Sequence, residues 1–309
     1  MIGRRVRLVP LVGLAVWIGM ALIVRPSWND LAWPRLLLML GPLVVVPLGL
    51  DVASRASGAS RVERGTDATP PDRSRAALLF AALALAGAEW MPRGALAGLL
   101  TLPWLAATTT ISGAAVARWI AAGARGTGWS ERALLGGQAF LVIGGAWTLA
   151  DRLGLTPIGF DPVIVLLTAA HFHFAGFALP IVTGLAARER PSTLADLACA
   201  GVVAGVPAVA IGITLTHLGA APWLEGVATW LVAGAALASA FLHVALAREP
   251  SRPTVVRASW TVAAASLATG MALAATYGSR TFGTRLALDI PHMWAIHGTL
   301  NAVGLGSSA

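Results

Sequence analysis

The sequence predicts an all-α, polytopic transmembrane helical bundle of about ten spans, with both termini in the cytoplasm. Three observations carry this expectation. The chain is 57% hydrophobic and 12% charged, with a mean hydropathy of +0.75, whereas soluble domains carry about 25% charged residues. The apolar residues are gathered in runs close to the roughly 20 residues that a helix needs to cross a bilayer. The basic residues fall in the connectors between those runs, and heavily in alternate ones.

Taken in order, spans are expected at about 8–24, 36–53, 76–90, 95–117, 133–150, 162–187, 194–218, 223–247, 258–277 and 288–306. The opening Arg4-Arg5-Arg7 before an apolar run resembles a signal peptide. No small-residue cleavage site precedes Arg25-Pro26, so the run is read as an uncleaved first span. With the N-terminus inside, 16 of the 22 arginines fall on inner segments and 6 on outer ones, and every inner connector is basic. This is the positive-inside pattern, and a miscounted span would scramble it. The longest connector, Ser54 to Arg75, holds Ser57-Gly58, Pro70-Pro71 and a cluster of arginines, and reads as a flexible cytoplasmic loop on a single transmembrane domain, residues 1–309. The basic residues lack aromatic interleaving, so a nucleic-acid surface is not expected. The single cysteine, Cys199, allows no internal disulfide and reads as a small buried hydrophobe. Gly201 and Gly205, four apart in one span, permit close helix approach.

The sixth and tenth spans carry the chemistry. An ionisable ring at mid-depth is costly unless it faces the bundle interior and finds partners. The sixth span places His171 and His173 in such a run, with Asp161, Thr168 and His171 on one face. The two rings lie about 200° apart on a regular helix, so they do not share one small site unless the helix is distorted. Phe172 and Phe174 flank them, and Pro180 loosens the helix a turn later. In the tenth span Met293, His297 and Asn301 recur at intervals of four, so the amide lies one turn from the ring and fixes its orientation. Among the carboxylates near outer span ends, Glu89 and Asp161 are the candidate acids. Glu89 adjoins Trp90 at the end of an apolar run, where partial burial keeps a carboxyl protonated. His217 and His243 lie near span ends and read as interfacial. Trp28, Trp33, Trp129 and Trp223 read as interface anchors, while Trp147, Trp230 and Trp294 lie deeper. There is no glycine-rich phosphate loop, haem-attachment motif, zinc-protease motif or pair of Asp-rich diphosphate motifs, so no cofactor or metal is expected.

Two stretches, Leu-Thr-Ala-Ala-His-Phe-His-Phe-Ala-Gly-Phe within 166–177 and His-Gly-Thr-Leu-Asn-Ala-Val-Gly at 297–304, resemble the YndJ-like family of bacterial integral membrane proteins. The resemblance runs from about Phe160 to Gly304. It implies that Asp161, Thr168, His171, His173, Gly176, His297, Asn301 and Gly304 are the recurrent positions. Some membrane-bound terpene cyclases of actinobacteria look similar in size and character, an analogy of class alone.

The leading functional expectation is a multi-pass bacterial membrane enzyme acting by acid–base chemistry on a lipidic isoprenoid, as in a proton-initiated cyclisation of an alkene or epoxide. Glu89, Asp161 or an imidazolium would donate the proton, and His171 or His297 would remove one, with His173 and Asn301 in the same machinery. Thr168, Met293 and the rings of Phe172, Phe174, Trp147 and Trp294 would line the substrate site, and the aromatic faces would steady a carbocation. The alternatives are a haem- or metal-binding redox protein using histidines from two spans, and a proton-coupled transporter. The expected partners are the lipidic substrate and the membrane lipids.

Overall fold

The computed structural model describes residues 8–28, 30–56, 71–123, 126–283 and 288–307. Ten helical rods follow one another along them, with no strand among the described residues. They are α1 (Leu8–Val24), α2 (Ala32–Ala56), α3 (Pro71–Glu89), α4 (Ala95–Gly123), α5 (Trp129–Leu153), α6 (Pro162–Glu189), α7 (Thr193–His217), α8 (Trp223–Ala247), α9 (Thr254–Gly278) and α10 (290–307). Seven of them, α2 and α4 to α9, are long and apolar enough to cross a bilayer. The first rod is short, at 17 residues, and α3 begins among charges; neither of these nor α10 reaches that standard. Large apolar side chains such as Leu99, Ile120, Leu197, Ile211 and Phe241 stand more than half exposed along the rods. Lipid is the solvent in which such surfaces are stable. The expected loop 54–75 falls largely outside the described residues.

Three rods are interrupted by π-helical turns: Gly41–Val45 in α2, Phe172–Ala178 in α6 and Met293–Gly298 in α10. The first two have a local cause. Pro47 and Pro180 each lie two residues beyond the segment, where the ring lacks a donor and crowds the preceding turn. The third follows Pro291, which starts its helix as a first-turn proline does.

The described chain divides into two compact units, Met1–Arg118 with Gln138–Phe177, and Trp119–Gly137 with Ala178–Ala309. In the first, α1 packs on the π turn of α2. Gly13 meets the Leu43 backbone too closely for any side chain, and the Trp17 indole donates to the Leu36 carbonyl at 2.7 Å. Ser112 stitches α4 to α5, donating to Gln138 O at 2.9 Å and accepting from Val142 N–H at 3.0 Å. In the second, small residues set the helix approach. Gly201 and Gly205 face Ala235 and Val232, Gly278 faces Thr229, and Gly304 faces Ser266. Cys199 is fully buried there with Ala133, Ala186 and Leu246. Thr183 donates to the Ser239 hydroxyl at 2.9 Å, both fully buried; without water, such pairs satisfy each other.

Candidate functional site

The first histidine station is in the first unit. His171 closes the regular part of α6 and stands exposed, its Nδ1–H donating to Leu167 O at 2.8 Å. The π turn begins at the next residue. His173 on that turn is fully buried and engaged at both nitrogens. Its Nδ1–H donates to Ala169 O at 2.8 Å, and the Trp104 indole N–H donates to its Nε2 at 3.1 Å. The two rings lie nearly parallel, 24° and 5.7 Å between centroids. Gly41 and Gly144 make room for the imidazole: a Cβ on either would lie 3.0 Å from it. This bonding fixes one neutral tautomer and uses both nitrogens, which suits an interhelical anchor and leaves no lone pair for a metal or substrate. Thr168 donates back to Ile164 O at 2.7 Å. Phe172 and Phe174 are buried, Phe172 edge-on to Phe140 at 6.4 Å. Trp147 packs on Phe160 at 5.9 Å near the start of α6.

Two expected acids have other roles. Asp161 is the exposed N-cap of α6, accepting from Val163 N–H at 2.8 Å. It is ten residues from His171, about 15 Å along the helix, so sharing a face does not bring the two into one small site. Glu89 accepts from Arg35 at 3.1 Å and Arg152 at 2.7 Å, an ion-paired acceptor where the sequence suggested a proton donor. It belongs to a network at one end of the first unit. Asp151 accepts from Arg35 at 3.1 Å and Arg93 at 2.6 Å, and Arg152 also donates to Met91 O at 3.4 Å. Sequence reasoning missed this network by treating each charge as a solvated span end. The available signal was that Arg35, Glu89, Arg93, Asp151 and Arg152 all fall at ends assigned to the same side.

The second station is in the second unit, on the π turn of α10. His297 donates through Nδ1–H to Gly270 O on α9 at 2.8 Å, which leaves the lone pair on Nε2. The Asn301 amide nitrogen lies 3.1 Å from that Nε2 and donates to His297 O at 3.0 Å. Asn301 is 8% exposed, and its Oδ1 is buried without a hydrogen-bond partner among the described residues. Gly270 allows this approach, since a Cβ there would lie 2.9 Å from Oδ1. Trp294 is buried and Met293 partly buried on the same turn. The π winding replaces the regular four-residue face that joined Met293, His297 and Asn301 in the sequence. His292 is exposed and pairs with Asp289 at 2.6 Å. His243, expected at an interface, is buried and donates to Ser239 O at 2.8 Å. Among the described residues no three His, Cys, Asp or Glu side chains converge as a metal-ligand group.

These features define a multi-pass helical membrane protein with histidines on π-helical turns of two of its rods. The chain belongs to the YndJ-like family, whose profile matches residues 36–305. It is 30% identical over 178 residues to the uncharacterized membrane protein YndJ of Bacillus subtilis (strain 168). That match covers 57% of this chain and 31% of the relative, so the chain spans less than two thirds of the relative's length. No solved structure matches the chain at a significant level.

Proposed function

We propose that this protein is an integral membrane enzyme that moves a proton on a lipidic, isoprenoid-type substrate, with His297 as the acid–base group and Asn301 as its positioning residue. The observation that carries the reading is the fixed address of the His297 ring. With Nδ1–H held by Gly270 O, proton exchange is directed to Nε2, beside the Asn301 amide. π turns recur at functional sites, and an ionisable residue within a span is a functional candidate by default. An imidazolium Nε2–H gives its proton to an epoxide oxygen, the C–O bond opens, and an alkene of the same chain supplies the electrons of a new C–C bond. The neutral imidazole then takes a proton from the carbocation. The reaction is redox-neutral, the residue returns to its starting state, and the product is an isomer. Isoprenoids suit such chemistry because a proton alone initiates their carbon–carbon bond formation.

The test compares lipid extracts, by mass spectrometry, from cells fed plain and epoxidised isoprenoids. The cells express the wild type, His297→Ala, Asn301→Leu or His171→Ala. A new lipid of unchanged mass, absent with His297→Ala and reduced with Asn301→Leu, is the expected result. A product lost only with His171→Ala removes His297 from the role. Identical profiles in all cells, with the protein folded in the membrane, overturn the proposal.

A further inference from the structure

We infer that the Arg35–Glu89–Asp151–Arg93–Arg152 network is an anion site that takes a phosphate group at the membrane surface. The argument is independent of the proposed reaction and concerns the other unit. The network contains three guanidiniums and two carboxylates, joined without interruption by ion pairs of 2.6–3.1 Å. Glu89 and Asp151 side chains are 6% and 0% exposed and Arg152 is 3% exposed. Enclosed charge is costly unless it is matched, and this cluster carries one positive charge more than its own carboxylates match.

The unused donors point the same way. Each guanidinium has five N–H groups, and the three together make five hydrogen bonds among the described residues. Arg152 Nε is buried with no partner among them, as is Glu89 Oε1. The partly exposed members are Arg35 and Arg93, at 23% and 32%, so the network's reachable edge is cationic and its carboxylates lie behind it. The cavity beside Arg93 and Asp151 is about 10 Å³, room for one water and too small for a phosphate. The anion therefore meets the outer edges of the two arginines. Trp28 and Trp90, in the connectors next to them, are each more than half exposed, as residues at headgroup depth commonly are. Arginine forks match phosphate oxygens in pairs.

Purified full-length protein in a neutral detergent is titrated with inorganic phosphate at constant ionic strength. Separately, it is mixed with vesicles of phosphatidylcholine alone or with phosphatidic acid, and binding is followed by thermal unfolding and by native mass spectrometry. Saturable stabilisation is expected for the wild type and for Arg93→Lys, which keeps the charge. Affinity should fall about ten-fold or more in Arg93→Gln, the effect of one lost charge-assisted contact. Stabilisation by inorganic phosphate identifies a site for the free ion, and stabilisation by phosphatidic acid alone identifies a lipid headgroup site. Absence of saturable binding by the wild type to either, or equal affinity in a folded Arg93→Gln, overturns the inference. If Arg93→Gln does not fold, the wild-type titration and Arg93→Lys still decide.

Discussion

Replacing Trp104 by Phe tests the histidine anchor directly. Trp104 and His173 are both fully buried, and the indole N–H is the donor to Nε2 at 3.1 Å. Phenylalanine keeps an aromatic ring beside the imidazole but leaves Nε2 without a donor in a dry core, at a cost of about 1–3 kcal/mol. The smaller ring adds a cavity penalty on the order of 1 kcal/mol. The sum, about 2–4 kcal/mol, lowers the unfolding midpoint by about 4–16 °C at 2–4 °C per kcal/mol. Thermal unfolding in detergent, followed by tryptophan fluorescence, measures it. The decisive comparison is a double-mutant cycle with His173→Leu. Removing both partners leaves no orphaned nitrogen, so the double variant should be more stable than the sum of the single losses by about 1–3 kcal/mol. Additivity within about 0.5 kcal/mol, or a Trp104→Phe loss below that, would refute the anchor.

Two further substitutions separate structural from chemical roles. Asp161→Ala removes the α6 N-cap bond and should cost about 1 kcal/mol, a fall of about 2–4 °C, with lipid turnover unchanged; abolished turnover in the folded variant would return Asp161 to the chemistry. Gly270→Ala places a methyl about 3 Å from the Asn301 amide and should destabilise the protein by about 1–3 kcal/mol. It should also depress turnover by displacing the amide from His297, and unchanged turnover with unchanged stability would contradict that packing.

Much of the architecture was legible in the sequence because lipid imposes simple constraints. Apolar run length and connector charge located ten rods, and the small residues at Gly201 and Gly205 marked a close helix approach. The sites were less legible because their chemistry depends on contacts far apart in the chain. Nothing near His173 signals Trp104, 69 residues away, as its donor. Glu89 looked like an acid beside a tryptophan because Arg35 and Arg152 are distant in sequence. Asp161 shared a helical face with His171, but a face specifies direction and says nothing of the distance along it. The π turns were hidden because regular spacing was assumed across them; Pro47 and Pro180 were the local hints.

The π turn of α10 also makes the chain's residue count part of its mechanism. A wide turn accommodates an extra residue in a helix without moving what lies beyond it. Removing one residue from Met293–Gly298 and restoring regular winding would turn the following segment by about 100°. Asn301 and Gly304, which now meet Gly270 and Ser266, would swing off α9 together. A single deletion in this turn would therefore uncouple the amide from its helix neighbour while leaving every side chain of the pair chemically intact.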